Sequence, residues 1–284
     1  MTESIVLAPV REQIVSAFTP QILDFERLEA TERECFALNL RRCRIQLKLS
    51  QLAMAQKMSV CLRQYQRYEE GSYPCMKTMA TFMLATGVPY QYLFVGGCYQ
   101  NLFKDIPRRK EAVVLQSLAG LCSDSDFHSL VLLISGTLER TRSIQPEELC
   151  FGSSIELLET PSQQGYYAMV AGRLRELRNL LDLTTDDMAE LLGVESRTWR
   201  AYEHENDGPQ FSVLMALRLW AATKINPLWL TYGTDFFKVR LIQHRRMEYL
   251  LGLFNELPEA FDSTVKQMMS VLHKKYMGHW GPLN

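Results

Sequence analysis

The sequence contains no apolar run near the roughly 18 residues that a membrane span requires. It opens Met1-Thr-Glu-Ser-Ile-Val-Leu-Ala-Pro, with no basic n-region, so a signal peptide is not expected. No segment is low in complexity. No CxxC pair occurs among the seven cysteines, at 35, 43, 61, 75, 98, 122 and 150. They are odd in number, scattered, and confined to the first 150 residues, which predicts reduced thiols in a cytoplasmic protein. The five histidines, at 128, 204, 244, 273 and 279, do not cluster with them, so no metal site is expected. There is no GxSxG, P-loop, GxGxxG or HExxH, and Cys61 and Cys98 have no histidine nearby in sequence. An enzyme is therefore not expected, nor a cofactor. Charge of one sign is also missing: 31 basic residues against 32 acidic ones leave a formal net charge of -1. Taken whole, that argues against a polyanion-coating chain.

What is present is ordinary for a globular protein. The 284 residues are 47% hydrophobic and 22% charged, and the length suggests two domains. Apolar residues recur at three- and four-residue spacing nearly throughout, and alternating runs are scarce, so the class is all-α. Gly71 to Pro74, Gly87 to Pro89, Gly96-Gly97, Pro107, Pro161 to Gly165, Gly208-Pro209, Pro227 and Pro258 punctuate the helices.

Internal repetition organises the chain. Leu40-Arg-Arg-Cys-Arg-Ile-Gln-Leu-Lys-Leu-Ser50 aligns with Leu174-Arg-Glu-Leu-Arg-Asn-Leu-Leu-Asp-Leu-Thr184. Met54-Ala-Gln-Lys-Met-Ser-Val60 aligns with Met188-Ala-Glu-Leu-Leu-Gly-Val194, and Arg63-Gln-Tyr-Gln-Arg-Tyr-Glu69 with Arg197-Thr-Trp-Arg-Ala-Tyr-Glu203. All three pairs share an offset of 134. A weaker match continues through Phe127 and Phe261, Val131 and Val265, and Leu138 and Leu272. The expected organisation is an N-terminal helical segment 1–35, a first helix-turn-helix-like module 36–96, a helical hairpin 97–150, a linker 151–167, a second such module 168–233 and a C-terminal helical hairpin 234–284. The hairpin helices are expected near 107–121 and 125–142, and near 238–255 and 258–277.

Each module carries a recurring set of residues. The first has Ser50-Gln51, Met54-Ala55, Ser59-Val60-Cys61, Tyr68-Glu69-Glu70-Gly71 and Pro74. The second has Thr184-Thr185, Met188-Ala189, Gly193-Val194-Glu195, Tyr202-Glu203-His204-Glu205 and Pro209. With these motifs, residues 36–96 and 168–233 resemble the lambda-repressor-like, Xre/Cro-type helix-turn-helix family. Ser50 is expected to cap a helix, and Asp187 to complete a capping box with Thr184. Gly193 suits a left-handed turn, where Ser59 in the first copy would be strained. Tyr65 and Trp199 stand where the family has an apolar core residue.

The resemblance implies a recognition helix beginning near Val60, with Cys61, Leu62, Arg63, Gln64 and Arg67 facing outward to read bases. Arginine pairs with guanine, glutamine with adenine, and leucine with a thymine methyl. Gln51 matches a phosphate-contacting position of the family, and Arg41, Arg42, Arg44, Lys48, Lys57 and Lys77 are further phosphate candidates. The second copy departs at these points. Carboxylates open its second helix, Glu195 begins the third, and Ser196, Arg197, Thr198 and Arg200 form only a possible second reader. Residues 36–95 hold eight basic and two acidic side chains, whereas 168–233 hold seven basic and nine acidic.

The implied function is a sequence-specific regulator of transcription that binds double-stranded DNA, of phage-repressor type and nucleoid-associated. It would act as a homodimer with the first module as main reader. The alternative is an interaction adaptor that docks a protein through residues 168–233, with DNA binding secondary or architectural. The hairpin residues Leu115, Leu118, Leu121, Phe127, Val131 and Ile134 fit either an internal core or a dimer contact. The stripe Met76, Met79, Phe82, Met83 reads as core.

Overall fold

The computed structural model describes residues 23–29, 32–94, 96–97, 112–138, 149–150, 152, 163–204, 210–225, 227–257 and 259–277. The rest of the N-terminal segment, most of the expected linker, both outer ends of the first hairpin, and Glu205, Asp207 and Pro209 lie outside them. The described residues are all-α: they hold no strand, only one isolated antiparallel bridge.

A short α1 (Phe25–Leu28) precedes α2 (Glu32–Gln46), α3 (Gln51–Lys57), α4 (Leu62–Glu69) and α5 (Met76–Thr86), followed by a 3-10 turn at Tyr90–Phe94. A hairpin of α6 (Ala112–Leu121) and α7 (Asp124–Thr137) ends the first half. The second half repeats the order with α8 (Gln163–Leu180), α9 (Thr185–Leu192), α10 (Ser196–Tyr202), α11 (Val213–Thr223), α12 (Pro227–Glu256) and α13 (Glu259–Met277).

The repetition reaches the backbone. Lys48 and Asp182 both have φ 54°, Ser59 has φ 55° against 63° at Gly193, and Gly87 has 69° against 61° at Lys224. The register is thus 134 up to the α3–α4 turn and 137 by the end of α5. Ser50 Oγ accepts the Ala53 N–H at 3.1 Å. Thr184 Oγ1 accepts the Asp187 N–H at 3.1 Å, and Asp187 accepts the Thr184 N–H at 2.8 Å, closing the expected capping box. Thr86 and Thr223 each donate to a carbonyl one turn back, at 2.7 and 2.6 Å.

Ser59 occupies the left-handed region that Gly193 fills without cost. A non-glycine residue there costs about 1–2 kcal/mol, partly offset by the greater freedom of glycine in the unfolded chain. Ser59→Gly is expected to raise stability by roughly 0.5–1 kcal/mol, read as a higher thermal midpoint. An unchanged or lower midpoint would show that the turn carries no strain.

Two cores result. One is shared by both four-helix units, running from Phe36, Leu40, Met54 and Tyr65 to Leu174, Met188, Trp199 and Ile225. Met76, Met79, Phe82 and Met83 lie inside it. The other joins the two hairpins: Leu115, Leu118, Phe127, Val131 and Ile134 pack with Leu250, Phe254, Val265 and Leu272. These apolar faces therefore meet each other within one chain. Arg246 of α12 is fully buried; it donates to the Cys122 carbonyl at 2.9 Å, pairs with Asp124 and lies over the Phe127 ring.

The second hairpin departs from the expected start near 238. Helix α12 runs unbroken for 30 residues. Proline 227 sits at its first position, where its missing N–H is harmless, and Pro258 follows its end. Between them the sequence has no proline, whereas the first half has Gly96, Gly97 and Pro107 in the matching stretch. In the first half, close approach replaces continuity. A Cβ added at Gly87 would stand 2.4 Å from the Ser117 carbonyl oxygen, and one at Gly120 would stand 2.6 Å from Gly87 Cα, so glycine lets α5 and α6 touch.

His273 on α13 is 1% exposed. Burial, helped by Lys48 and Lys57, pushes its pKa down to about 4 from the usual 6.5. The folded state then binds fewer protons than the unfolded chain between those values, so stability falls as pH drops through that window. The full effect is on the order of 3 kcal/mol. Between pH 6.5 and 5, urea midpoints of the wild type are expected to fall, and those of His273→Leu to fall less. Parallel curves would assign the acid sensitivity to other groups.

Candidate nucleic-acid interface

The short helix α4 stands on α3 and α2 through one carboxylate. Arg44 Nε donates to Glu69 Oε1 at 2.6 Å and Nη2 to Oε2 at 3.2 Å, while Nη1 donates to the Leu49 carbonyl at 3.1 Å. Tyr65 Oη donates to Oε1 at 2.8 Å, and Gln51 Nε2 to Oε2 at 2.7 Å. The two ion-paired side chains are only 13% and 6% exposed. Burial by itself raises the Glu69 pKa, but the hydrogen bonds from Arg44, Gln51 and Tyr65 outweigh it and hold the group below the usual carboxylate range. Burial and Glu69 together push the Tyr65 phenol up, keeping it a donor.

The second unit has the same clasp. Arg178 Nε and Nη2 donate to Glu203 at 2.7 and 3.2 Å, Nη1 donates to the Leu183 carbonyl at 3.1 Å, and Trp199 Nε1 donates to Glu203 Oε1 at 2.7 Å. Tyr65 and Trp199 are thus buried donors as well as core residues. Each unit uses a different ring to satisfy the same acceptor.

With Tyr65 and Tyr68 turned inward, the opposite face of α4 is open. Cys61, Leu62, Arg63 and Arg67 are exposed, whereas Gln64 is half-buried. Neither Arg63 nor Arg67 has a hydrogen-bond or ion-pair partner among the described residues. Gln66 lies exposed on the same stripe and its amide donates to Gln51 Oε1 at 3.4 Å. The outward set is therefore Cys61, Leu62, Arg63, Gln66 and Arg67. Gln66 was legible at i+3 from Arg63, the spacing that defines a helix face.

Of the basic residues proposed for phosphate, Arg41, Arg42 and Lys48 are exposed, and Lys57 and Lys77 half-buried. Burial lowers the Lys57 pKa. Arg44 differs from the expectation: its guanidinium is spent on Glu69 and Leu49, because a buried carboxylate demands a fixed bidentate partner. Gln51 is likewise half-buried and committed, its amide nitrogen to Glu69 and its oxygen to Gln66. Both are positioning residues for α4, and the recurrence of Arg and Glu at offset 134 was the sequence signal for them. Leu52, next to Gln51 at the start of α3, is 53% exposed.

On α10, Arg197 and Arg200 are exposed and Ser196 and Thr198 half-buried. Arg200 Nη2 lies 3.4 Å from Asp186 in a pair that is 65% and 71% exposed, worth little in water. Asp182, Asp186, Asp187, Glu190 and Glu195 are all exposed around it. Phe25 and Glu29 dock on this second unit. Glu29 accepts from Arg218 Nε and Nη2, both at 2.8 Å, and the Arg218 guanidinium lies 4.7 Å from the Phe25 ring centre. Among the described residues, no three of His, Cys, Asp and Glu stand together to hold a metal ion, and no helix is long and apolar enough to cross a membrane.

No family model matches the chain, no curated protein matches it, and no solved structure matches it.

Proposed function

We propose that this chain is a sequence-specific regulator of transcription that binds double-stranded DNA, with α4 as its main reader in the major groove. The observation that carries the reading is the outward face of α4. Two exposed arginines whose side chains have no partner among the described residues, Arg63 and Arg67, stand one turn apart beside Gln66 and Leu62, on a helix whose other face is clamped. Free guanidinium groups on a rigid helix suit the O6 and N7 acceptors of guanine. Arg41, Arg42 and Lys48 add exposed positive charge to the same unit, where it would meet phosphate without reading sequence. The all-α class and the doubled turn between two short helices support the helix-turn-helix resemblance, and with it action by occupancy of an operator in a bacterial nucleoid.

The second reading, a protein adaptor, is favoured by the exposed carboxylates around α9 and α10. Fluorescence anisotropy with labelled duplex at several salt concentrations separates the two. A DNA-binding chain should lose affinity steeply, log K falling by about 0.9 per phosphate contact for each unit of log salt. No binding to any duplex at low salt would overturn the regulator reading and leave the adaptor.

A further inference from the structure

The antiparallel bridge between Cys75 and Ser212 joins equivalent residues of the two units. Each is the residue immediately before its helix, α5 or α11. They are 137 apart, the register already set by Gly87 with Lys224 and Thr86 with Thr223. The hydrogen bonds are reciprocal: Met76 N donates to the Phe211 carbonyl at 2.9 Å, and Val213 N donates to the Pro74 carbonyl at 3.0 Å. Met76 and Val213 are themselves equivalent, as are Pro74 and Phe211. Each unit thus gives and receives the same bond through the same position. That is the signature of a self-complementary, two-fold contact, the kind by which identical subunits make dimers. Here both partners belong to one chain.

The second layer follows suit. The two hairpins, which are also equivalent, bury their apolar faces on each other in one core. The edge before α5 and the hairpin face of the first unit are both occupied from within. A second copy of the chain has neither of them to pair with.

Extended from the bridge to the whole units, that two-fold relation carries α4 onto α10 at the same height along its axis. Their outward faces are not alike. Leu62, Arg63, Gln66 and Arg67 have as counterparts Ser196, Arg197, Arg200 and Ala201. Two of the carboxylates around α10 have partners inside the unit: Asp187 accepts from the N–H and hydroxyl of Thr184, and Asp186 faces Arg200. Arg197 remains exposed and without a partner among the described residues, and Glu195 precedes it, an acceptor suited to a cytosine amino group.

We infer that one chain acts as a closed, internally paired dimer that occupies a single DNA site with two unlike halves, α4 reading one half and α10 the other. The inference rests on the DNA-binding reading above. Affinity comes chiefly from the basic first unit, and the second, whose exposed carboxylates weaken its attraction to phosphate at any sequence, contributes discrimination through Arg197 and Glu195. It replaces the expected homodimer on a palindrome with one chain on an asymmetric site.

The test uses the full chain and a random-sequence duplex library. The enriched duplex is expected to contain two unlike halves, and sedimentation of the complex to show one chain per duplex. Scrambling the half that faces α10 is expected to weaken binding about tenfold or more. Inserting about five base pairs between the halves turns them to opposite faces of the duplex and should do the same. Arg197→Ala, an exposed change whose folding is checked by circular dichroism, should abolish discrimination at the second half only. Two chains on a palindromic site would overturn the inference. So would one chain on a single half with no response to scrambling, spacing or Arg197→Ala; that outcome would give the α10 face to a protein instead. Failure to enrich any duplex would overturn the DNA-binding reading itself, a result distinct from these.

Discussion

Glu69→Ala is expected to lower the stability of the protein by about 3–5 kcal/mol, the largest effect of any single change considered. The reason is what it leaves behind. Arg44 is fixed by three hydrogen bonds, two of them to this carboxylate, and is only 13% exposed. Removing Glu69 strands a guanidinium away from water, orphans the Tyr65 hydroxyl and releases the Gln51 amide. The loss exceeds the net worth of the pair, because breaking a buried pair costs more than forming it gains. Urea unfolding should therefore show Arg44→Met with Glu69→Leu to be less destabilised than Glu69→Ala alone. Glu203→Ala should behave like Glu69→Ala, since Arg178 and Trp199 reproduce the geometry. A loss below about 1 kcal/mol would place the pair with ordinary surface ion pairs.

Arg63→Ala with Arg67→Ala is expected to abolish sequence-specific binding while leaving the fold intact. Each single change should cost about 1–3 kcal/mol of specific affinity, or roughly 5- to 150-fold. Neither side chain has a partner among the described residues, so neither change should lower stability by more than about 0.5 kcal/mol. The decisive comparison is between the enriched duplex and random DNA. A base-reading arginine loses the first and spares the second. A phosphate-binding arginine weakens both alike and makes the salt slope shallower. Arg41→Ala and Arg42→Ala are the natural controls, because both sit on the exposed side of α2 and are proposed for phosphate. If the double change left specific affinity within threefold of wild type, α4 would not be the reader.

Much of the local structure was legible because it depends on neighbours in the chain. Three- and four-residue spacing implies helices, and Ser50, Thr184 and Asp187 cap theirs as their chemistry predicts. The left-handed turn at Ser59 could be read from Gly193 at the same place in the other copy. Arg44 shows where such reading stops. On sequence grounds it belongs with Arg41 and Arg42 as a surface cation. Its position on α2 turns it toward Glu69, 25 residues away, and a buried carboxylate consumes it. Gln66, not Gln64, shares the exposed stripe with Arg63 and Arg67, because Gln64 is turned half into the unit.

The near-zero net charge is a similar case. It conceals a basic unit and an acidic one, and the arithmetic by segment separates them without any coordinates. The sequence alone determined that the chain is helical, that it is duplicated, where its caps and turns fall, and which copy is basic. All of these follow from spacing and composition over a few dozen residues. Only the tertiary structure decided that the two copies pair through Cys75 and Ser212, that the hairpins bury each other, and that α1 docks on the second copy. Those contacts join residues more than a hundred positions apart, and helical periodicity records which face is apolar but not which partner covers it.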